Sequence, residues 1–150
     1  MNLYTIGFNK KSAEEFFESI KNAHISLLVD VRLNNNSQLS GFAKGRDLAY
    51  FLPRLAACKY VHGLRFAPTK ELLSNYRKGV VPWGDYEVVY RELCEKRDMA
   101  NYFRRLLKQE NVRDNIVLLC SEYEPAQCHR RLLAEYLAEQ LEHIEIHHIV

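Results

Sequence analysis

The sequence has no apolar run approaching the ~20 residues that a membrane-spanning helix needs. It also lacks a charged-then-apolar export pattern: the opening MNLYTIGFNKKS mixes polar and apolar residues, so a cytoplasmic setting is expected. Linkers rich in Pro, Gly or Ser, internal repeats and low-complexity tracts are missing, and 150 residues suffice for one domain with a real core. Strong charge of one sign is absent too. A formal net charge of +2 neither demands a nucleic-acid partner nor excludes one. Cysteine is sparse, with four residues (Cys58, Cys94, Cys120 and Cys128) and no CxxC spacing. That argues against a disulfide framework. Cys58 and Cys94 lie among apolar and helical residues and are read as small core fillers.

What is present is an alternation of strand and helix signals. Residues 3–6 form a short apolar run ending at Gly7. Ser12-Ala13-Glu14-Glu15 is a capping box that opens a helix with Phe16, Phe17 and Ile20 on one face. Residues 25–31 (ISLLVDV) are almost continuously apolar, as a strand covered on both faces requires. A polar loop over 33–45 precedes a helix over 46–57 and a weaker strand over 59–62. Pro68 opens a helix carrying Leu72, Leu73 and Tyr76 that Gly79 stops. Helical stretches follow over 85–96 and 99–109, then a second strongly buried strand over 115–120 (NIVLLC). The last elements are a helix over 126–140, with Leu132, Leu133, Tyr136, Leu137 and Leu141 as its apolar stripe, and a strand over 144–150. The pattern predicts an α/β single domain: a mainly parallel sheet of about five strands with helices on both faces.

Three polar clusters fall where the three clearest strands end: Gly7-Phe8-Asn9, Asp30-Val31-Arg32 and Cys120-Ser121-Glu122. Open α/β sheets bind ligands outside the carboxyl ends of their strands, so these clusters are expected to meet at one edge. Asp30 interrupts an apolar strand, where a carboxylate is costly unless paired. Arg32 lies two positions on, so the two side chains share a face if the strand persists. The competing reading is an ion pair that only fastens the following loop.

Residues 120–130 (CSEYEPAQCHR) read as strand, loop and helix start, with Pro125 in the first turn. Unpaired N–H groups and the helix dipole favour anions there, and a thiol beside Arg and His is readily ionised. Asp30, Glu122, Cys128 and His129 are therefore the candidate catalytic residues. Gly7, Asn9, Arg32, Cys120 and Arg130 are the candidate substrate-binding residues, Arg130 as a fork for phosphate or carboxylate. Taken singly, the plainer readings lead, Cys128 as packing, His129 as an exposed polar residue and Arg130 as a tether for Glu122 or Glu124, and only the cluster as a whole favours function.

A Cys-x5-Arg phosphatase loop is excluded, because Cys120 has no Arg at that spacing. Zinc ligation by Cys120, Cys128 and His129 is not expected, since adjacent Cys and His rarely share an ion and no second pair follows at finger spacing. His147 and His148 alternate on the last strand, with His143 nearby, and read as surface or packing residues. Tyr4, Phe42, Tyr50, Phe51 and Trp83 read as core rather than a stacking platform. The loop Asn34-Asn35-Asn36-Ser37-Gln38, followed by Lys44 and Arg46, is long enough to cover the proposed crevice or to be a solvated turn.

With these residues in view, the chain resembles the domain-of-unknown-function family DUF488. The matching pieces are Tyr4-Thr5-Ile6-Gly7, Leu28-Val29-Asp30-Val31-Arg32, and residues 120–130 with their Cys-His-Arg end. Ala67-Pro68-Thr69-Lys70-Glu71-Leu72-Leu73, with Trp83 and Tyr86, resembles one branch of that family. The resemblance spans nearly the whole chain and implies the α/β fold and the site's location, but no reaction. Gly7-Phe8-Asn9 stands where many members have Gly-His-Ser, so a proton-transfer role for that histidine is absent here or falls to His62 or His129. The Asn-rich loop after Arg32 also departs from relatives, which often carry a proline there.

The leading expectation is an enzyme-like pocket for an anionic small molecule or nucleotide-type substrate, with no cofactor, metal or membrane partner. A nucleic-acid or protein-binding module is the alternative, supported by Arg104, Arg105, Lys108, Arg130 and Arg131. Thiol redox chemistry between Cys120 and Cys128 is the third reading.

Overall fold

A computed structural model describes residues 1–36 and 41–150. Its strands are β1 (Asn2–Gly7), β2 (Leu27–Asp30), β3 (Lys59–His62), β4 (Ile116–Cys120) and β5 (Glu145–Ile149). They form one all-parallel sheet in the order β3-β2-β4-β1-β5. The helices are α1 (Ala13–Asn22), α2 (Gly45–Ala56), α3 (Lys70–Arg77), α4 (Trp83–Lys96), α5 (Met99–Glu110) and α6 (His129–Gln140). The expected α/β architecture is the observed one.

The connections dictate which face each helix covers. From β1 to β3 the chain moves toward one edge of the sheet, and from β3 to β5 it moves back. Because parallel crossovers keep one hand, the two directions require opposite faces. The cores follow this division. Phe16, Phe17 and Ile20 of α1 and Leu48 and Leu52 of α2 pack on Ile6, Leu28, Val117 and Leu119. Tyr86 and Tyr90 of α4, Phe103 of α5 and Leu133 of α6 pack on Leu3, Val29, Ile116 and Leu118. Alternation along β4 thus feeds two cores, which is why NIVLLC is apolar at every position of the strand.

Side-chain caps set the starts of two helices, α1 and α3. Ser12 Oγ accepts the N–H of Glu15, the first half of the expected capping box, and Thr69 Oγ1 accepts that of Leu72 to start α3. The last helix differs from expectation. Residues 125–128 form a turn, with Cys128 N–H donating to Pro125 O at 3.2 Å, and α6 begins only at His129. The cause is Arg130. Its fully buried guanidinium donates from Nη1 to Glu122 O and from Nη2 to Tyr123 O (3.1 Å), folding the loop over the helix start.

The sheet order creates a switch point. β1 and β2 lead into helices on one face, whereas β4, lying between them, leads into α6 on the other. A crevice opens where neighbouring connections part in opposite directions, so the carboxyl end of β4 is the place the topology reserves for a ligand. Gly7 belongs to this geometry: a Cβ there would lie 1.6 Å from Glu122 O. Only glycine lets the loop after β4 cross the end of β1.

Candidate functional site

A cleft of about 490 Å³ opens at this switch point. Its floor is Cys120 at the end of β4, Cys128 and His129 at the start of α6, and Arg32 just beyond β2. Part of its lining is aromatic. Tyr76 of α3 and Trp83 and Tyr86 of α4 form it, with Trp83 and Tyr86 stacked at 5.1 Å and 18° between planes, and Arg77 at the rim. Asn9 and the exposed Glu122 also line it, and Asn9 N–H donates to Ser121 O at 3.0 Å.

Beneath Arg32 lies a buried polar network. Asp30 is fully buried and takes a two-pronged grip from Arg32, through Nε to Oδ1 at 2.8 Å and Nη2 to Oδ2 at 2.7 Å. Tyr60 Oη also donates to Asp30 Oδ2 at 2.7 Å, and Asn35 Nδ2 donates to Tyr60 Oη at 3.1 Å. Burial opposes the charge on Arg32, but the hydrogen bond and negative charge of Asp30 hold it protonated above the usual guanidinium range. Burial, then the charge of Asp30, pushes the Tyr60 phenol up. Asp30 itself does not line the cleft. Arg32 does, and its buried Nη1 has no hydrogen-bond partner among the described residues.

The second cluster is the thiol–imidazole trio. His129 Nε2 donates to Val31 O at 2.7 Å. Because a carbonyl only accepts, that bond fixes the proton on Nε2 and leaves the Nδ1 lone pair facing inward when the ring is neutral. Cys120 Sγ lies 3.7 Å from that Nδ1. The two sulfurs and Nδ1 all lie within 4.8 Å of one another, and all three residues are buried. The hydrogen bond from the Cys128 thiol lowers the pKa of Cys120 against the effect of burial, helped by the Ser121 N–H and the charge of Arg130. Donating that bond, together with burial, raises Cys128. Of the coupled pair, Cys120 is the one that ionises first.

The nine candidate residues divide plainly. Arg32, Cys120, Glu122, Cys128, His129 and Asn9 line one cleft. Asp30, Gly7 and Arg130 sit behind it: Asp30 under Arg32, Gly7 under the Glu122 carbonyl, and Arg130 under the loop with Nη1 also 3.5 Å from Cys128 Sγ. His62 donates to Arg32 O at 2.8 Å, so two histidines grip consecutive carbonyls of the chain leaving β2. His147 stacks on Tyr4, and His148 pairs with buried Thr5, both away from the cleft. Of the Asn-rich loop, Asn34 lines the cleft, while Ser37 and Gln38 lie outside the described residues.

Sequence reasoning missed the aromatic wall, having taken Trp83 for core. The signal was the i, i+3 pair Trp83 and Tyr86 at the start of a helix, where one ring is buried and the other is left half-exposed. A second hollow of about 630 Å³ lies between α1 and α2. Phe17, Phe42, Phe51 and Leu55 line it, and its charged residues stand at the rim without a buried polar cluster.

No curated protein and no solved structure matches the chain. The family model for the Domain of unknown function DUF488 matches residues 12–137, from the capping serine of α1 to the last turn of α6, and so includes Asp30, Arg32 and the whole trio. The chain belongs to the DUF488 family.

Proposed function

We propose that the cleft at the end of β4 is the site of an enzyme acting on an anionic small molecule of nucleotide type. The observation that carries this reading is one cleft lined both by flat aromatic rings, Tyr76, Trp83 and Tyr86, and by the cation and thiols of Arg32, Cys120 and Cys128. A planar ring stacks favourably on Trp83, with Tyr76, tilted 60° to it, at its edge, since every base has a π-face. The anionic end then meets Arg32, Arg77 and the start of α6, whose first N–H groups carry partial positive charge. Arg130 contributes its charge from below, its two Nη groups being committed to loop carbonyls. Asp30 positions Arg32. His129 Nδ1 is the group on the floor suited to accept a proton from a thiol, and Glu122 is the carboxylate within the lining that water can reach.

Trp83 is the single tryptophan, so its fluorescence reports on this cleft alone. Titration with a nucleoside monophosphate is expected to quench it saturably, while Arg77→Ala weakens binding and inorganic phosphate alone binds less tightly. The absence of any saturable change across mono-, di- and cyclic nucleotides overturns the reading. Tight, steeply salt-dependent binding of RNA or DNA in place of mononucleotides favours a nucleic-acid module instead. The approach of Cys120 and Cys128 supports one further reading, a thiol redox protein in which peroxide takes two electrons and two protons from the pair and leaves as water. A reversible loss of two hydrogens by mass spectrometry supports it, and retention of both thiols removes it.

A further inference from the structure

We infer that Cys120 Sγ, Cys128 Sγ and His129 Nδ1 form a binding site for a thiophilic, tetrahedral cation of the Zn²⁺ class, with its fourth position open to the cleft. Adjacent Cys and His are poor co-ligands where the backbone turns their side chains apart. Here Cys128 is extended (φ −138°, ψ 138°) and His129 opens the helix, and the change of backbone direction between them lets both side chains converge on Cys120. The histidine is already set as a metal ligand requires. Its outer nitrogen is bonded to the Val31 carbonyl, which orients the ring and presents the other lone pair to the sulfurs.

The distances agree with this chemistry. Tetrahedral Zn²⁺ at about 2.3 Å from sulfur and about 2.05 Å from nitrogen places S and N about 3.6 Å apart and the two sulfurs about 3.8 Å apart. Cys120 Sγ and His129 Nδ1 are 3.7 Å apart, and every pair lies within 4.8 Å, so a small rotation of one thiol closes the set. A simple thiol–imidazole hydrogen bond accounts for one cysteine. It leaves unexplained why a second buried sulfur faces the same lone pair.

Binding displaces the two thiol protons to solvent, and two thiolates, a neutral imidazole and a divalent cation sum to zero charge. That suits a floor already holding the cations Arg32 and Arg130. Arg130 Nη1, 3.5 Å from Cys128 Sγ, serves the thiolate as a hydrogen-bond donor. Three protein ligands with one open place is the pattern of catalytic rather than structural zinc. The open place faces the cleft because all three ligands line it. This inference rests on the proposed function only for what fills that place, an anionic oxygen of the cleft's ligand.

The test uses Co²⁺ as the probe, added to the metal-free, phosphine-reduced full chain. One equivalent is expected to bind with a thiolate-to-cobalt charge-transfer band and the intense visible bands of tetrahedral cobalt, and Zn²⁺ is expected to displace it. Cys120→Ser and Cys128→Ser, checked for folding by circular dichroism, should each lose charge-transfer intensity and bind at least about tenfold more weakly. X-ray absorption on the wild-type zinc form needs no variant, and should show two sulfur neighbours and at least one nitrogen. Cobalt without charge transfer, an all-oxygen/nitrogen shell, or unchanged affinity in either serine variant overturns the inference. Nucleotide quenching of Trp83 in metal-free protein separates the two claims. Quenching without cobalt binding removes the metal site alone, and cobalt binding without quenching removes the nucleotide reading alone.

Discussion

Two buried polar groups adjoin at the carboxyl end of the sheet, linked through residue 31, and they differ in how complete they are. In the Asp30–Arg32–Tyr60 network, both carboxylate oxygens have donors and the arginine holds Asp30 and the Ala43 carbonyl together. In the Cys120–Cys128–His129 trio the outer edge is tied to Val31, while two sulfurs and a ring nitrogen face one another with few donors among them. A buried polar group is costly unless satisfied, so the saturated Asp30 carboxylate is a structural device, while Arg32 Nη1, without a partner among the described residues, stays open at the cleft. A set of soft donors gathered on the floor of a cleft is instead an arrangement that something else completes. The difference teaches that position at the strand ends alone does not define a working residue. What counts is which donors and acceptors remain after the fold has used its share.

Substitutions on the two sides should separate them. Asp30→Ala strands a buried guanidinium, and urea unfolding should show a loss of about 3–5 kcal/mol. Tyr60→Phe removes one hydrogen bond to the same charged group and should cost about 1.5–3 kcal/mol by the same measurement. Gly7→Ala drives a Cβ into Glu122 O, and the expected cost of about 1–3 kcal/mol should come with weakened nucleotide quenching of Trp83, since the loop must lift. Cys128→Ala, on the trio side, should cost the metal-free protein only about 1 kcal/mol. If Cys128→Ala destabilises as much as Asp30→Ala, the trio is as structural as the network and the distinction collapses.

Much of this was legible in the residues. Asp30 inside an apolar strand required a partner, and Arg32 is that partner, although β2 ends at Asp30 and the pairing comes from the guanidinium reaching back. The continuous apolar runs marked β2 and β4, and the alternation of elements gave the parallel sheet. Alternation could not reveal that β4 lies between β1 and β2, because order in a sheet depends on which helices find which face. The start of α6 was misplaced for a related reason. Pro125 is a good first-turn residue, but the tie from Arg130 to the Glu122 and Tyr123 carbonyls outweighs it. No sequence pattern says whether a buried arginine points at a ligand or at its own loop. Trp83 escaped because the i, i+3 pair with Tyr86 shows that two rings share a helix face, whereas how far Trp83 stays exposed is set by the packing of α3 on α4.

The most direct test of the account is a crystal structure of the chain soaked with a nucleoside monophosphate. The base is expected stacked on Trp83 with Tyr76 at its edge, and its phosphate toward Arg32 and the start of α6. Density in the hollow between α1 and α2, or none anywhere at saturating ligand, would contradict it.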